Sequence, residues 1–262
     1  MTEIIELTVE SGIGILSMNH PPVNAINQVF AAELKKVLKQ AVDDERIRVL
    51  LITSDIEGVF MAGADIKMIN AAFKSRDFSR LKETGLLRPV FNMIQFAPKP
   101  TIAVINGHAM GGGCELSLSC DYRIMALGTQ IGLTEVHLGI IPALGGTQRI
   151  IRMVPPALAK RMLLEGIKLD AEKALEVGLV DFVFEREVLL DEAMIFAHRF
   201  ANGPSKAYAA LKRCINEGGD TDLISGIQLE KNLSDELTNH SEDAKEGMVA
   251  FIEKRKPVFL GK

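Results

Sequence analysis

Thr101-Ile-Ala-Val-Ile-Asn-Gly-His-Ala-Met-Gly-Gly-Gly-Cys-Glu-Leu-Ser-Leu-Ser-Cys120 is the stretch on which the reading of this chain turns. Residues 101–105 lack the apolar–polar alternation of a half-exposed strand and predict one buried on both faces. Three glycines follow, Gly111-Gly112-Gly113, and then a helical run over 114–119. Small residues at a helix start leave the first backbone N–H groups uncovered, so an anion or a polarised carbonyl oxygen can approach them. The same order occurs upstream, where the apolar run 49–52 precedes Ala62-Gly63-Ala64-Asp65. One such turn is equally well explained by tight packing that requires glycine. Two in a single core read as converging donors of an oxyanion hole.

Outward from these turns, 9–18 reads as strand, a turn over 12–14, and strand again, ending at Asn19-His20-Pro21-Pro22. Asn24 or Asn27 is placed to cap a helix whose apolar face is Phe30, Leu34, Val37, Leu38 and Ala41. The polar stretch 70–84 has little periodicity, and a helix through Leu86, Val90, Phe91 and Ile94 stops at Pro98 and Pro100. A strand is expected over 122–126. After Gly146 the spacing is helical over 157–164, 171–177, 188–201, 205–215, 223–237 and 241–254, interrupted by a strand at 180–184. Buried strands alternating with helices make an α/β core over 1–200, with a helical extension over 201–262.

Composition narrows the function. The 262 residues are 47% apolar and 24% charged, with a formal net charge of −4. That is ample material for a core and the wrong balance for a disordered chain or a dedicated nucleic-acid binder. Cys114, Cys120 and Cys214 are too few and too irregularly spaced for a disulfide framework or a structural zinc site. No apolar run reaches the roughly 20 residues that span a bilayer, and the acidic start, 1–10, has no secretory pattern. The expectation is a soluble, reduced, cytoplasmic protein, or a mature form in the mitochondrial matrix.

Two carboxylates stand out. Glu115 lies in the first turn of an otherwise apolar helix, and Glu135 sits in Gly132-Leu-Thr-Glu-Val-His-Leu-Gly139. Each by itself reads as an acid near a helix N-terminus, with Glu115 facing water and Glu135 following Thr134. As a pair beside an oxyanion hole they read as general acid and base. Signatures for dinucleotides, P-loops, zinc proteases and serine hydrolases are absent. His108 and His137 neighbour the suspected site, where packing explains them better than chemistry. Met61, Met68 and Met110 read as core filler or pocket lining.

Four segments together resemble one family: Phe60-Met-Ala-Gly-Ala-Asp-Ile-Lys67, Asn106-Gly-His-Ala-Met-Gly-Gly-Gly-Cys-Glu-Leu116, Leu138-Gly-Ile-Ile-Pro-Ala-Leu-Gly-Gly-Thr-Gln-Arg149 and Glu246-Gly-Met-Val-Ala-Phe-Ile-Glu-Lys-Arg-Lys-Pro257. In this order they look like the crotonase (enoyl-CoA hydratase/isomerase) superfamily, over nearly the whole chain. The resemblance implies a spiral of ββα units followed by trimerising helices, as a homotrimer or a dimer of trimers. It implies an acyl-CoA substrate whose thioester carbonyl is held by the N–H groups of Ala64 and Gly112. It places Ala62, Ala64, Asp65, Ile66 and Lys67 against the adenine and phosphates of CoA, with Lys254 reaching phosphates of the same or a neighbouring subunit. No metal, redox cofactor, nucleic acid or membrane partner is implied.

Glu115 and Glu135 match the two glutamates that hold one water in family hydratases, whereas isomerases keep mainly the second. Hydration of a 2-enoyl-CoA to a 3-hydroxyacyl-CoA is therefore the leading expectation. Behind it stand enoyl-CoA isomerisation or another enolate-forming reaction, and then a non-catalytic RNA-binding relative, against which the net charge argues. Two departures are notable: Asn239 replaces an aromatic residue common two positions before Ser241, and Thr134 replaces a proline common before the second glutamate. Phe73 and Phe78, in the segment where relatives differ most, are candidates to cover the acyl chain.

Overall fold

Ser11 and Gly12 both adopt positive φ, 49° and 83°, the geometry that matches a two-residue hairpin to the twist of its strands. They join β1 (Ile5–Glu10) to β2 (Ile13–Met18) in an antiparallel pair. The turn expected at 12–14 is therefore shorter: Gly14 pairs within β2, and a side chain there would stand 2.8 Å from the Ile47 methyl. Residues 4–77, 79 and 87–262 are described in this computed structural model. Asn27 caps α1 (Gln28–Asp43), its Oδ1 accepting from the Phe30 N–H at 3.0 Å. Asn24 is instead a buried hub, donating to Ser54 Oγ and the Phe60 carbonyl.

β3 (Val49–Ser54) is buried at every position, and its two faces serve two cores. Val49 and Leu51 point to one side, Leu50 and Ile52 to the other. β5 (Thr101–Ile105) and β7 (Tyr122–Ala126) repeat the pattern, with Ile102, Val104, Ile124 and Ala126 on the first side and Ala103, Ile105 and Met125 on the second. A run buried on both faces has no reason to alternate in polarity, as the sequence predicts. These strands lie in a sheet ordered β1-β2-β3-β5-β7-β10, the last being Phe182–Phe184, in which every pair from β2 onward is parallel and β1 is antiparallel at the edge.

After each of β3, β5 and β7 the chain crosses to a second sheet. β4 (Gly58–Met61), β6 (Gly107–Met110), β8 (Gln130–Gly132) and β9 (Lys168–Asp170) form it in that order. These strands have three or four residues, too few for periodicity to reveal, and were not expected individually. Their closeness explains Gly107, where a Cβ would stand 2.2 Å from the Val59 nitrogen. α2 (Ile66–Ser75) follows β4 and takes in the start, 70–75, of the stretch expected to lack pattern. α3 (Leu87–Gln95) buries Leu87, Val90, Phe91 and Ile94; the last three follow the expected spacing, whereas Leu86 lies outside the described residues. α4 (Gly112–Ser119) follows β6. The strand–strand–helix steps are the ββα spiral implied by the resemblance.

The remaining helices are α5 (Gly146–Met153), α6 (Pro156–Leu164), α7 (Ala171–Glu176), α8 (Leu189–Ala201), α9 (Ser205–Asn216), α10 (Leu223–His240) and α11 (Glu242–Glu253). α8 closes the outer face of the first sheet through Leu189, Ala193, Ala197 and Ala201, a small-residue stripe at four-residue spacing. α9 is tied to the core by Lys212, whose ammonium meets Asp121 Oδ2 at 2.7 Å and the Lys99 carbonyl at 3.0 Å. Among the described residues no helix is long and apolar enough to cross a membrane.

Candidate active site

β4 and β6 end side by side, and the two turns that follow them meet. Gly63, with φ 92°, approaches so near that a Cβ on it would stand 3.0 Å from the Gly112 nitrogen. Gly113 is equally constrained, since a Cβ would lie 2.2 Å from the Met61 carbonyl oxygen. Close backbone approach is thus the reason for these glycines, and it is also what brings Ala64 and Gly112 to one place. A register shift between Val59 and Met61 turns the end of β4 toward the site. Ala64 is held by reciprocal bonds of its neighbours: Ile26 N–H donates to the Gly63 carbonyl at 2.8 Å, and Asp65 N–H to the Ile26 carbonyl at 3.0 Å. Among the described residues neither the Ala64 N–H nor the Gly112 N–H has a backbone or side-chain acceptor.

Both turns open on a cavity of about 320 Å³, lined chiefly by Ile26, Ile66, Met68, Ile69, Leu138, Ile140 and Leu144. Among the described residues Glu115 and Glu135 are its two ionisable lining groups, and Thr134 lies beside them. Glu115 is only 2% exposed, so it does not face water. Its Oε1 accepts from the Leu144 N–H at 2.7 Å and the Gly146 N–H at 2.8 Å. Burial pushes the Glu115 carboxyl above its ordinary range, and the amides of Gly146 and Leu144 with the Arg149 charge pull the other way. Glu135 begins a 3-10 turn, Glu135–Leu138. Its Oε2 is buried without a partner among the described residues. Burial, reinforced by the nearby Glu115 charge, raises its carboxyl from 4.5 to about 7. One carboxylate is fastened by backbone donors and the other is left with an unused oxygen, beside two free N–H donors in an apolar chamber. That arrangement suits water addition next to a carbonyl whose oxygen gains negative charge.

Residues 8–262 match the sequence profile of enoyl-CoA hydratase/isomerase. The chain belongs to the enoyl-CoA hydratase/isomerase family. It is 38% identical over 263 residues to a crotonyl-CoA hydratase of Syntrophomonas wolfei, covering 99% of both chains. It is 34% identical to a short-chain-enoyl-CoA hydratase of Clostridium acetobutylicum, covering 94% of each. A solved enoyl-CoA hydratase structure from Bacillus anthracis superimposes with a TM-score of 0.92 at 34% identity, covering 99% of this chain and 100% of that one.

In this enoyl-CoA hydratase/isomerase, the expected CoA residues fall in two places. Ala62, Ala64 and Ile66 lie exposed along the cavity mouth. Asp65 spends Oδ1 on capping α2, accepting from the Lys67 N–H at 2.8 Å and the Met68 N–H at 3.2 Å. Lys67 is exposed on the first turn of that helix. Lys254 ends α11 in left-handed geometry, φ 55°, and is not among the cavity-lining residues. Phe73 lines the cavity, whereas Phe78 lies outside the described residues. His108 accepts from the Gln130 N–H, and His137 Nε2 meets the Gly166 carbonyl at 3.3 Å; neither lines the cavity. Met68 lines it, while Met61 is core. Thr134 has φ −103° and makes no capping bond through its side chain, a backbone angle outside the range a proline would impose. Sequence reasoning did not assign the amides that hold Glu115. Their signal was the glycine pair after Leu144, read only as part of a motif.

Proposed function

We propose that this protein is an enoyl-CoA hydratase that adds water reversibly across the C2=C3 bond of a 2-enoyl-CoA to give a 3-hydroxyacyl-CoA. The observation that carries this reading is the meeting of Glu115, Glu135 and two acceptor-free N–H groups on one apolar cavity. The full-length similarity to hydratases named for crotonyl-CoA and short-chain enoyl-CoA supports it.

In the proposed reaction the thioester oxygen accepts from the N–H groups of Ala64 and Gly112. Charge drawn onto that oxygen makes C3 electrophilic. Glu115 takes a proton from water as its oxygen bonds to C3, and the electron pair of the double bond moves toward the carbonyl. Glu135, whose pKa is raised to about 7 so that about half of it still holds a proton at neutrality, delivers a proton to C2. The two carboxyls share one water and titrate as a coupled pair. These steps use carboxyl and backbone groups alone, so we assign no cofactor beyond the CoA of the substrate. The 62–67 edge with Lys67 is assigned to the adenine and phosphates, and Lys254 to phosphates bound by a neighbouring copy. A trimer or a pair of trimers is assigned on the exposed apolar side chains of α10 and α11, among them Leu223, Ile224, Phe251 and Ile252.

Mixing the protein with crotonyl-CoA and following loss of enoyl-thioester absorbance tests the reading. Turnover across short 2-enoyl-CoAs is expected. Its absence over a range of chain lengths would sink the proposal, and much faster consumption of a 3-enoyl-CoA would assign isomerisation instead. Light scattering on the purified protein reads the oligomer.

A further inference from the structure

Arg149 is 8% exposed and lies on α5, one turn beyond the glycine pair that follows Leu144. Its guanidinium makes three bonds to neutral oxygens: Nη1 to the Leu144 carbonyl at 2.8 Å, Nη2 to Asn92 Oδ1 at 2.8 Å and Nε to Gln95 Oε1 at 3.0 Å. Gln95 is in turn fixed by Asn216 of α9, through bonds of 3.2 and 3.0 Å. Among the described residues Arg149 forms no ion pair. A buried cation bonded only to neutral acceptors is expensive unless something else uses its charge or its fork.

The 144–146 turn shows what uses it. Leu144 and Gly146 donate their N–H groups to Glu115 on one side of the turn. On the other side Arg149 grips the Leu144 carbonyl, so a single residue links the two side chains. Both glycines are required by this sandwich. A Cβ on Gly145, whose φ is 107°, would stand 2.1 Å from Arg149 Nη1, and one on Gly146 would stand 2.9 Å from Glu115 Cγ. The planar fork, with separate donors for the turn and for α3, is suited to this triple anchoring in a way an ammonium is not.

We propose that Arg149 is a positioning residue for Glu115: it pins the 144–146 turn to α3, so that the two amides hold the carboxylate where it meets the substrate water. The inference rests on the hydratase reading for its link to turnover. Glu115 is faced by Arg149, by Glu135 and by the buried Cys114 thiol, which burial keeps protonated. Arg149 is the one positive charge in that set.

The test compares Arg149→Lys and Arg149→Met with wild type on crotonyl-CoA. For R149M, kcat is expected to fall by about 100-fold, the scale of an ångström-level misplacement, with KM within about threefold of wild type. The acidic limb of its kcat/KM profile should move to higher pH, because the positive charge opposing the burial of Glu115 is gone. R149K keeps the cation and much of the volume, so its acidic limb should move less while kcat still falls. Added guanidinium ion should restore part of the activity of Arg149→Ala and none of that of Glu115→Gln. Variants that melt earlier but keep kcat per folded molecule and the acidic limb would overturn the proposal by making Arg149 a structural pin alone. If R149M does not fold, an unchanged kcat in R149K overturns it equally. A wild type inactive on all enoyl-CoAs sinks the hydratase reading instead. Infrared difference spectra of the Glu115 carboxylate in wild type and R149K then decide the positioning claim without turnover: an unshifted carboxylate band rejects it.

Discussion

Glu135 packs against the bare Cα of Gly111: a methyl group there would stand 3.1 Å from the Glu135 Oε1. Gly111 also has φ 51° and ψ −119°, a region open to glycine and strained for other residues. The residue that starts α4, and so presents the Gly112 N–H, is therefore also the wall that sets the second carboxylate. Gly111→Ala should disturb both groups at once. We expect a folded protein with kcat for crotonyl-CoA lowered by about 100-fold. Steady-state kinetics beside a circular dichroism spectrum check this, and near-normal turnover would contradict it.

If the proposed mechanism holds, Glu115→Gln and Glu135→Gln each remove a proton-transfer group with almost no change in volume. In E115Q the amide oxygen can still accept from Leu144 and Gly146, so the fold is retained. Each substitution should lower kcat by about 10²–10⁴-fold while KM changes little. Loss confined to KM would place the glutamates in binding rather than chemistry.

The pH profile follows from Glu135. In the proposed role its carboxyl, raised to about 7 by burial, must hold a proton to protonate C2. The hydration rate, read as kcat/KM, is expected to decline on the alkaline side with an apparent pKa near that value. A plateau extending well above it would reject the assigned role.

The same shift has a consequence for stability. An acid whose folded pKa lies above its unfolded value favours folding less as pH rises through that interval, here from 4.5 to about 7. E135Q has no such group. It should be more stable than wild type at pH 8 by about 1–2 kcal/mol, after allowance for solvent screening of a partly exposed carboxyl, and indistinguishable from wild type at pH 4. Urea melts at the two pH values measure the difference. An equal effect at both would mean that packing, not ionisation, is responsible.

Two glycine substitutions separate crowding from backbone strain. At Gly113 a Cβ would meet the Met61 carbonyl at 2.2 Å, and backbone does not give way. Gly113→Ala should cost about 3 kcal/mol or more and yield little folded protein. Gly58 has φ 72° with nothing within 4 Å of the added atom. Gly58→Ala should cost only about 1–2 kcal/mol, the strain of a left-handed alanine. Denaturation midpoints rank the two.

The legible parts of the chain were those with long, repeated signals. The helices after 155 follow their apolar spacing to within a few residues, and β3 and β5 are as buried as their unbroken apolar runs imply. The second sheet was not legible as strands, because three or four residues between glycines carry no usable period. α2 was also missed, although Ile66, Ile69 and Phe73 fall at helical spacing: they line the cavity rather than the core, where Ala72 is the buried residue of the helix. Of the site residues, Glu115 and Glu135 were found from their apolar neighbours and from the motifs, and the cavity brings them together.

Local chemistry alone determined that residues 101–105 and 49–52 would be buried strands, that 111–113 would open a helix without side-chain cover, and that an acid would sit in its first turn. Those are properties of short stretches, written in residue size and polarity. Only the tertiary structure decided that Gly63 would lie against Gly112, that Oε1 of Glu115 would be held by amides 29 and 31 residues away, and that Arg149 would grip the same turn from behind. Such contacts depend on where strands of two sheets end relative to each other. A sequence records which residues permit close approach, and packing alone selects which of them meet.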